Sequence, residues 1–137
     1  MSMESSTGHR LMNILIADDE ARYRVMMGHL FEKWPEHQLT LAEDGNEAWT
    51  LLDDPKRWFD VVFLDLNMPK SGGLDVLRRL RESPLHKSVE PVICTASNDR
   101  ETIKQAIALG VRHYIVKPWT EAQIADKLRQ IAAKRAA

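Results

Sequence analysis

The sequence has a single cysteine, almost no net charge and no long apolar run. Cys94 stands alone among 137 residues, which excludes an internal disulfide framework and fits a reducing compartment. The 19 Lys and Arg residues nearly balance the 20 Asp and Glu residues, so no basic excess is present to attract nucleic acid. No apolar stretch approaches the ~20 residues that a transmembrane helix needs. We therefore expect a cytoplasmic protein that binds neither nucleic acid nor a membrane.

Several familiar binding motifs are also missing. The sequence has no phosphate-binding loop of the Gly-x-Gly-x-x-Gly or Walker type, which leaves nucleotide binding without support. The five histidines show no metal-ligand spacing. The stretch from Met1 to Arg10 is polar and lacks the apolar core of a secretory signal. We expect residues 1–12 to be a polar lead and residues 13–135 to form one domain.

Four short apolar runs each end in a reactive polar residue. They are Ile14–Ala17 before Asp18 and Asp19, Val61–Leu64 before Asp65, Val92–Cys94 before Thr95, and Tyr114–Val116 before Lys117 and Pro118. Runs of this length are typical of strands buried on both faces of a parallel sheet. Because ligands of open α/β sheets bind beyond the carboxyl ends of the strands, we expect these polar groups to converge.

Helical patterns alternate with the strand candidates, the second of which begins near Leu39. The predicted helices are 20–34, 46–52, 73–82, 98–109 and one that opens at Thr120, where Gln123 completes a capping box. On the first helix, Val25 and Met26 are predicted to share the buried face. Five β/α units indicate an α/β fold with a doubly wound five-stranded parallel sheet, in the flavodoxin-like order 2-1-3-4-5.

The charges at the predicted strand ends do not balance. Asp18, Asp19 and Asp65 against Lys117 leave a formal charge of −2 in one pocket. Crowded carboxylates raise one another's pKa values unless a cation neutralises them, and Mg²⁺ typically takes one or two carboxylates together with a phosphate oxygen. The pattern therefore predicts a site for a metal ion and a phosphoryl group. The nearby Gly72-Gly73 pair is predicted only to form a flexible loop.

The strand-end motifs resemble the receiver domain of bacterial two-component response regulators, of the single-domain, chemotaxis-regulator-like kind. They are Asp18-Asp19, Asp65, Thr95-Ala96 and Lys117-Pro118, and the resemblance extends from Asn13 to Ile131. Each motif alone is common, but their order on successive strand ends is specific. The alternative within this family is a receiver fragment of a larger multidomain regulator.

The resemblance implies a role for each of these residues. Asp65 matches the phosphoacceptor. Asp18 and Asp19 match the acids that bind Mg²⁺ or Mn²⁺, together with Asp65 and the main-chain carbonyl of Asn67. Lys117 matches the lysine that pairs first with the acceptor carboxylate and then with the phosphoryl oxygens. Phosphoryl transfer of this kind depends mainly on positioning and charge neutralisation.

The resemblance also implies a switch. Thr95 matches the hydroxyl that bonds a phosphoryl oxygen, and its movement is expected to exchange Tyr114 between outward and inward rotamers. The surface expected to change is made by the fourth helix, the fifth strand and the fifth helix, where a downstream protein target would bind. Asn67 and Ser97 match positions that tune loss of the phosphoryl group. The alternatives are a Thr95 that caps the next helix and a Tyr114 that is statically packed.

A histidine kinase or histidine phosphotransfer protein is the implied phosphoryl source. The chain is expected to be a monomer or weak dimer with self-phosphorylation and self-dephosphorylation chemistry only, not an enzyme.

One rival is an aspartyl-nucleophile phosphohydrolase, which usually has an acid where Asn67 stands. A flavin carrier would need a phosphate-binding loop in place of Asp18-Asp19-Glu20. A degenerate receiver that is never phosphorylated would not need the complete motif set.

Overall fold

Five β/α units follow one another in the computed structural model, which describes residues 11–68, 72–83, 88–96 and 100–136. The elements are β1 (Asn13–Ala17), α1 (Ala21–Phe31), β2 (Gln38–Ala42), α2 (Gly45–Leu52), β3 (Val61–Asp65), α3 (Gly73–Glu82), β4 (Glu90–Ala96), α4 (Arg100–Ala108), β5 (His113–Lys117) and α5 (Glu121–Ala136). The strands are all parallel, in the order β2-β1-β3-β4-β5. The predicted doubly wound sheet is confirmed.

The register of the sheet brings the polar strand ends to one level. Ala17 of β1 pairs with Leu64 of β3, so Asp18 and Asp65 follow directly on neighbouring strands. Thr95 of β4 pairs with Val116 of β5, one residue before Lys117. Since every strand runs in the same direction, these groups share the carboxyl edge of the sheet.

Alternating side chains of the central strands fill two cores, one on each face of the sheet. Ile14, Ile16 and Phe63 point to the face covered by α1 and α5. Leu15 and Leu64 point to the opposite face, which α2, α3 and α4 cover. Burial of each such side chain contributes about 1.5–3 kcal/mol, so the strands that carry the polar edge are held firmly.

The predicted face of α1 is wrong in part. Val25 and Met26 are 57% and 42% exposed, and the buried residues of the helix include Tyr23 and Met27. Tyr23 and Met27 lie one helical turn apart, so they set a stripe that leaves Val25 and Met26 outside it. The helix also ends at Phe31, earlier than predicted, because short i to i−3 backbone bonds tighten the chain that follows.

Several helix ends follow the predicted chemistry. The Thr120 hydroxyl accepts the Gln123 N–H at 3.2 Å and the Gln123 side chain accepts the Thr120 N–H at 2.8 Å, which confirms the capping box. Gly110 has a φ of +87° just past α4, where a left-handed residue commonly ends a helix. The predicted start of this helix at Asn98 lies outside the described residues.

Among the described helices, none is long and apolar enough to cross a membrane.

Candidate functional site

Four carboxylates gather at the carboxyl edge of the sheet. Asp18, Asp19, Glu20 and Asp65 each offer an oxygen within 4.8 Å of the others. Asp18 and Asp65 are buried, at 4% and 5% exposure, whereas Asp19 is exposed and Glu20 half-buried. The three predicted acids are brought together, and Glu20 adds a fourth. The sequence indicates Glu20 only as the start of the first helix, so its part in the cluster was missed.

Asp18 is fixed by its own backbone and by α1. Its side chain accepts the Glu20 N–H at 2.9 Å, and its carbonyl accepts a hydrogen bond from Arg24 at 2.8 Å. The Asp18 N–H donates to the carbonyl of Ala42 at the end of β2. These bonds aim the carboxylate at the pocket rather than at solvent.

Lys117 is the buried cation of the cluster, and Arg22 pairs with its outer member Glu20 at 3.1 Å. Its ammonium lies 2.7 Å from Asp18, 3.2 Å from Asp65 and 3.5 Å from Glu20. Burial of the side chain opposes its charge, but Asp18 and Asp65 outweigh that effect and raise the pKa of Lys117 above its ordinary value. Lys117 is therefore protonated at neutral pH and joins the acids of two strands.

Lys117 and Arg22 bring two positive charges to four carboxylates. Burial raises the pKa of Asp18 above its ordinary value, although its hydrogen bond to Lys117 acts in the opposite direction. Partial desolvation and the neighbouring Asp65 raise the pKa of Asp19 as well. Both shifts mean that the charged forms of Asp18 and Asp19 are disfavoured, chiefly because burial removes water from them. The oxygen-only donor set fits a hard divalent cation such as Mg²⁺.

Asp65 is held at the last position of β3. One carboxylate oxygen accepts the Asn67 N–H at 3.0 Å, and the other lies 3.2 Å from the Lys117 ammonium. Asn67 is itself exposed, two residues beyond the strand. A buried carboxylate fixed at both oxygens has a defined orientation, which a nucleophile needs for in-line attack.

Gly72 and Gly73 are more specific than the predicted flexible loop. Gly73 begins α3, and a Cβ added there would lie 2.4 Å from the carbonyl oxygen of Asp65 and 2.9 Å from the Cα of Leu66. The start of α3 therefore rests directly on the backbone of Asp65, and only glycine permits that approach. Gly73 is the first residue of the helix predicted over 73–82, and Gly72 caps it, so the pair is the start of a helix as well as a turn.

Thr95 and Tyr114 lie on neighbouring strands but in different surroundings. Thr95 is fully buried within β4, and its hydroxyl donates a long 3.4 Å bond to the Ala96 carbonyl. This position inside the strand does not favour the helix-capping alternative. Tyr114 is 49% exposed on β5, so its ring points outward. Ser97 lies outside the described residues.

Tyr23 is a neighbour of the site that the sequence did not indicate. Its ring centroid lies 4.1 Å from the Lys117 ammonium and 6.3 Å from the ring of Trp119. The spacing of Tyr23 and Met27 is compatible with one buried stripe of α1, but the spacing alone does not choose that stripe over the one predicted with Val25 and Met26. Its contact with Lys117 joins distant parts of the chain, which no local pattern reveals.

The doubly wound sheet carries acids, a threonine and a lysine at its carboxyl edge, which defines an α/β domain with an acidic site at that edge. Residues 14–129 match the response regulator receiver domain family, and the chain belongs to that family. The expected resemblance is thus confirmed, and with it the assignment to two-component signalling.

Curated relatives include chemotaxis proteins. The chain is 37% identical to chemotaxis protein CheY-3 of Vibrio cholerae over 120 residues, which cover 88% of this chain and 91% of that protein. It is 30% identical to chemotaxis protein CheY1 of Helicobacter pylori over 123 residues, covering 88% of this chain and 96% of that protein.

Solved structures show the same fold. The chemotaxis protein CheY4 of Vibrio cholerae, crystallised at low pH, matches with a TM-score of 0.78 at 25% identity and covers 88% of this chain and 98% of its own. A chain from the co-crystal of the Saccharomyces cerevisiae phosphotransfer protein Ypd1 with the Ssk1 receiver domain matches with a TM-score of 0.82. That match is 22% identical and covers 94% of both chains, so it bears on the fold alone.

Proposed function

We propose that this receiver accepts a phosphoryl group on Asp65 from a histidine kinase or histidine phosphotransfer protein. The observation that carries the proposal is the buried Asp65 carboxylate, which is fixed by the Asn67 N–H and by Lys117 inside an acidic cluster. An Asp65 oxygen attacks phosphorus, so that an O–P bond forms as the P–N bond of the donor phosphohistidine breaks. The electron pair of that bond leaves with the donor imidazole, and the product is an aspartyl phosphate.

Lys117 supplies positive charge throughout this transfer. Its ammonium already lies within reach of Asp65, and the phosphoryl oxygens would replace the carboxylate oxygen as its partner. Thr95 supplies a hydroxyl donor, because its present bond at 3.4 Å is long enough to be exchanged for a stronger acceptor. Charge neutralisation by fixed groups is the main source of rate in phosphoryl transfer.

Mg²⁺ (or Mn²⁺) is the proposed cofactor. Asp18, Asp19 and Asp65 would hold it, together with the main-chain carbonyl of Asn67. When bound, the ion would neutralise the crowded carboxylates and the phosphoryl oxygens. The four clustered carboxylates, which offer oxygen ligands within 4.8 Å of one another, support this assignment.

The proposed output is a change in the surface formed by α4, β5 and α5. A phosphoryl group adds about −1.5 to −2 charge and strong acceptor oxygens, which would draw the Thr95 hydroxyl inward. Tyr114 could then turn into the space that is left. Its outward ring and the exposed Ile107 of α4 offer apolar area to a downstream protein target. Asn67 and Ser97 are proposed to tune loss of the phosphoryl group.

The remaining features of the proposal concern the whole molecule. The receiver domain is taken to span residues 13–135, as a monomer or weak dimer, whether or not it belongs to a longer regulator. Its chemistry is limited to its own phosphorylation and dephosphorylation, and its site would act in the cytoplasm. The downstream target binds the α4-β5-α5 surface.

Intact mass spectrometry tests the proposal. The protein is incubated with Mg²⁺ and acetyl phosphate, and we expect a gain of one phosphoryl group. Asp65→Asn should abolish the gain, whereas Asp75→Asn, a change to an exposed acid of α3, should preserve it. No gain from small donors or from a cognate kinase would overturn the proposal. Turnover of a phosphomonoester without a stable adduct would favour the phosphohydrolase instead.

A further inference from the structure

The Lys117 ammonium lies over the ring of a buried tyrosine. Tyr23 is 7% exposed in the first turn of α1, and its ring centroid is 4.1 Å from the Lys117 nitrogen. The Lys117 side chain is itself only 9% exposed. A cation within about 6 Å of an aromatic centroid is attracted by the negative face of the ring, and the attraction grows when water is excluded.

The ring differs from the other partners of Lys117. Asp18, Glu20 and Asp65 all compete for the ammonium, and the shortest contact is to Asp18 rather than to the proposed phosphoacceptor. Metal binding would engage the carboxylates, and phosphorylation would change Asp65 covalently. Tyr23 takes part in neither event, so its hold on the ammonium persists through both.

The ring is also fixed in place. Tyr23 belongs to the core between α1 and the sheet, and it lies 6.3 Å from the ring of Trp119, with the two planes tilted by 48°. Trp119 is buried just beyond β5 and follows Lys117 by two residues. The two aromatic rings thus form a rigid support beside the strand end that carries Lys117.

We propose that Tyr23 is a positioning residue that keeps the Lys117 ammonium directed at Asp65 while the carboxylate partners of that ammonium change. This inference rests on the proposed function. The effect depends on the electron-rich face of the ring and not on its hydroxyl group. An apolar side chain of similar volume would fill the space but would leave the buried ammonium free to follow Asp18 or Glu20.

Three variants separate positioning from packing. Tyr23→Phe keeps the ring, Tyr23→Leu removes it, and Tyr23→Met serves if the leucine variant does not fold. Phe31→Leu is the matched control, because Phe31 is also a buried aromatic residue of α1 but packs against Trp34 and His37. Thermal unfolding of all four variants identifies those that are folded.

Nuclear magnetic resonance of the metal-free protein tests whether the Lys117 side chain lies over the Tyr23 ring. The ring current of Tyr23 should shift the Lys117 Hε signals upfield in the wild type, in Tyr23→Phe and in Phe31→Leu. The shift should disappear in Tyr23→Leu and Tyr23→Met. If the wild type shows no such shift, or if the leucine variant keeps it, Tyr23 does not hold the ammonium and the proposal is overturned.

The rate of phosphorylation by acetyl phosphate with Mg²⁺ measures whether this position of Lys117 matters for the reaction at Asp65. We expect roughly a tenfold loss in Tyr23→Leu, from the size of a desolvated cation–π contact, with the rate recovered in Tyr23→Phe. A wild type that is phosphorylated no faster than Tyr23→Leu overturns the positioning role alone. A wild type that takes up no phosphoryl group overturns the proposed function, and the positioning role with it.

Discussion

Gly73→Ala tests how closely α3 rests on the phosphoacceptor. The added Cβ would lie 2.4 Å from the carbonyl oxygen of Asp65 and 2.9 Å from the Cα of Leu66. Both atoms belong to the backbone of a buried strand end, so no side chain can turn away to relieve the contact. The first turn of α3 must move, or β3 must shift where it presents Asp65.

The expected cost follows from these distances. Overpacking a well-packed region by one methyl-sized group typically costs about 1–3 kcal/mol. Replacing a helical glycine by alanine stabilises the folded state by about 0.5–1 kcal/mol, because the unfolded chain loses conformational freedom. We therefore expect Gly73→Ala to lower the free energy of unfolding by about 1–2 kcal/mol. For a chain of 137 residues this corresponds to a fall of roughly 3–7 °C in Tm.

Gly28→Ala is the matched control with the opposite expected sign. Gly28 lies inside α1, and a Cβ added there would meet nothing within 4 Å. The same chemical change should therefore raise the free energy of unfolding by about 0.5–1 kcal/mol. Urea and thermal unfolding followed by circular dichroism measure both variants, and intact mass after acetyl phosphate treatment measures whether Asp65 still accepts a phosphoryl group.

Three results are informative for Gly73. A loss of stability with slowed phosphorylation agrees with a helix start that supports Asp65. A loss of stability with unchanged phosphorylation would limit its role to packing. If Gly73→Ala were as stable as Gly28→Ala, the close approach of α3 to β3 would be refuted.

Three other perturbations have defined outcomes. Arg81→Ala removes hydrogen bonds to the carbonyls of Leu109 and Gly110, so urea unfolding should show a loss of about 1 kcal/mol and amide exchange should quicken at the end of α4. Burial lowers the pKa of His113 below its ordinary 6.5, so the unfolded state binds a proton at a higher pH than the folded state does. The free energy of unfolding, measured in urea, should therefore fall as pH drops below 6.5. The fall should be less steep in His113→Gln. Mg²⁺ at about 100 times its Kd should raise the free energy of unfolding by about 2.7 kcal/mol, and by less in Asp19→Asn at the same concentration.

Each of these predictions has a contradicting result. Unchanged exchange at the end of α4 in Arg81→Ala would mean that the helix end does not depend on the arginine. An identical pH slope in His113→Gln would assign the acid sensitivity to other groups. A Tm that does not respond to Mg²⁺, or that responds equally in Asp19→Asn, would exclude the acidic cluster as the binding site.

The sequence was most informative where local pattern and topology agree. The apolar run before Asp65 has the length of a buried strand, and its alternation with helical patterns then restricted the sheet order. Crossover rules place successive strand ends on one edge, so convergence of Asp65 with Lys117 was predictable without coordinates. The capping box at Thr120 was predictable because it depends on two residues three positions apart.

Features that depend on the exact rotation of a helix about its axis, or on distances between elements, were not predictable in this way. A small change in helical phase decides whether Val25 or Tyr23 faces the core, and composition does not fix it. The requirement for glycine at position 73 arises from the backbone of a different element. The contact of Tyr23 with Lys117 joins α1 to β5, so it depends on the packing of the whole domain.

The acidic cluster links stability to the proposed reaction. The pKa of Asp18 is raised by burial, so the folded state holds the proton of Asp18 more tightly than the unfolded state does. Stability therefore declines as pH rises from 3.8 through the folded pKa of Asp18. Lys117 offsets part of this cost, since its raised pKa keeps its contribution fully present below pH 10.5. A divalent cation bound to these carboxylates would relieve more of the cost. Because the carboxylates surround Asp65, the same ion that stabilises the fold would prepare Asp65 to meet an anionic phosphoryl group.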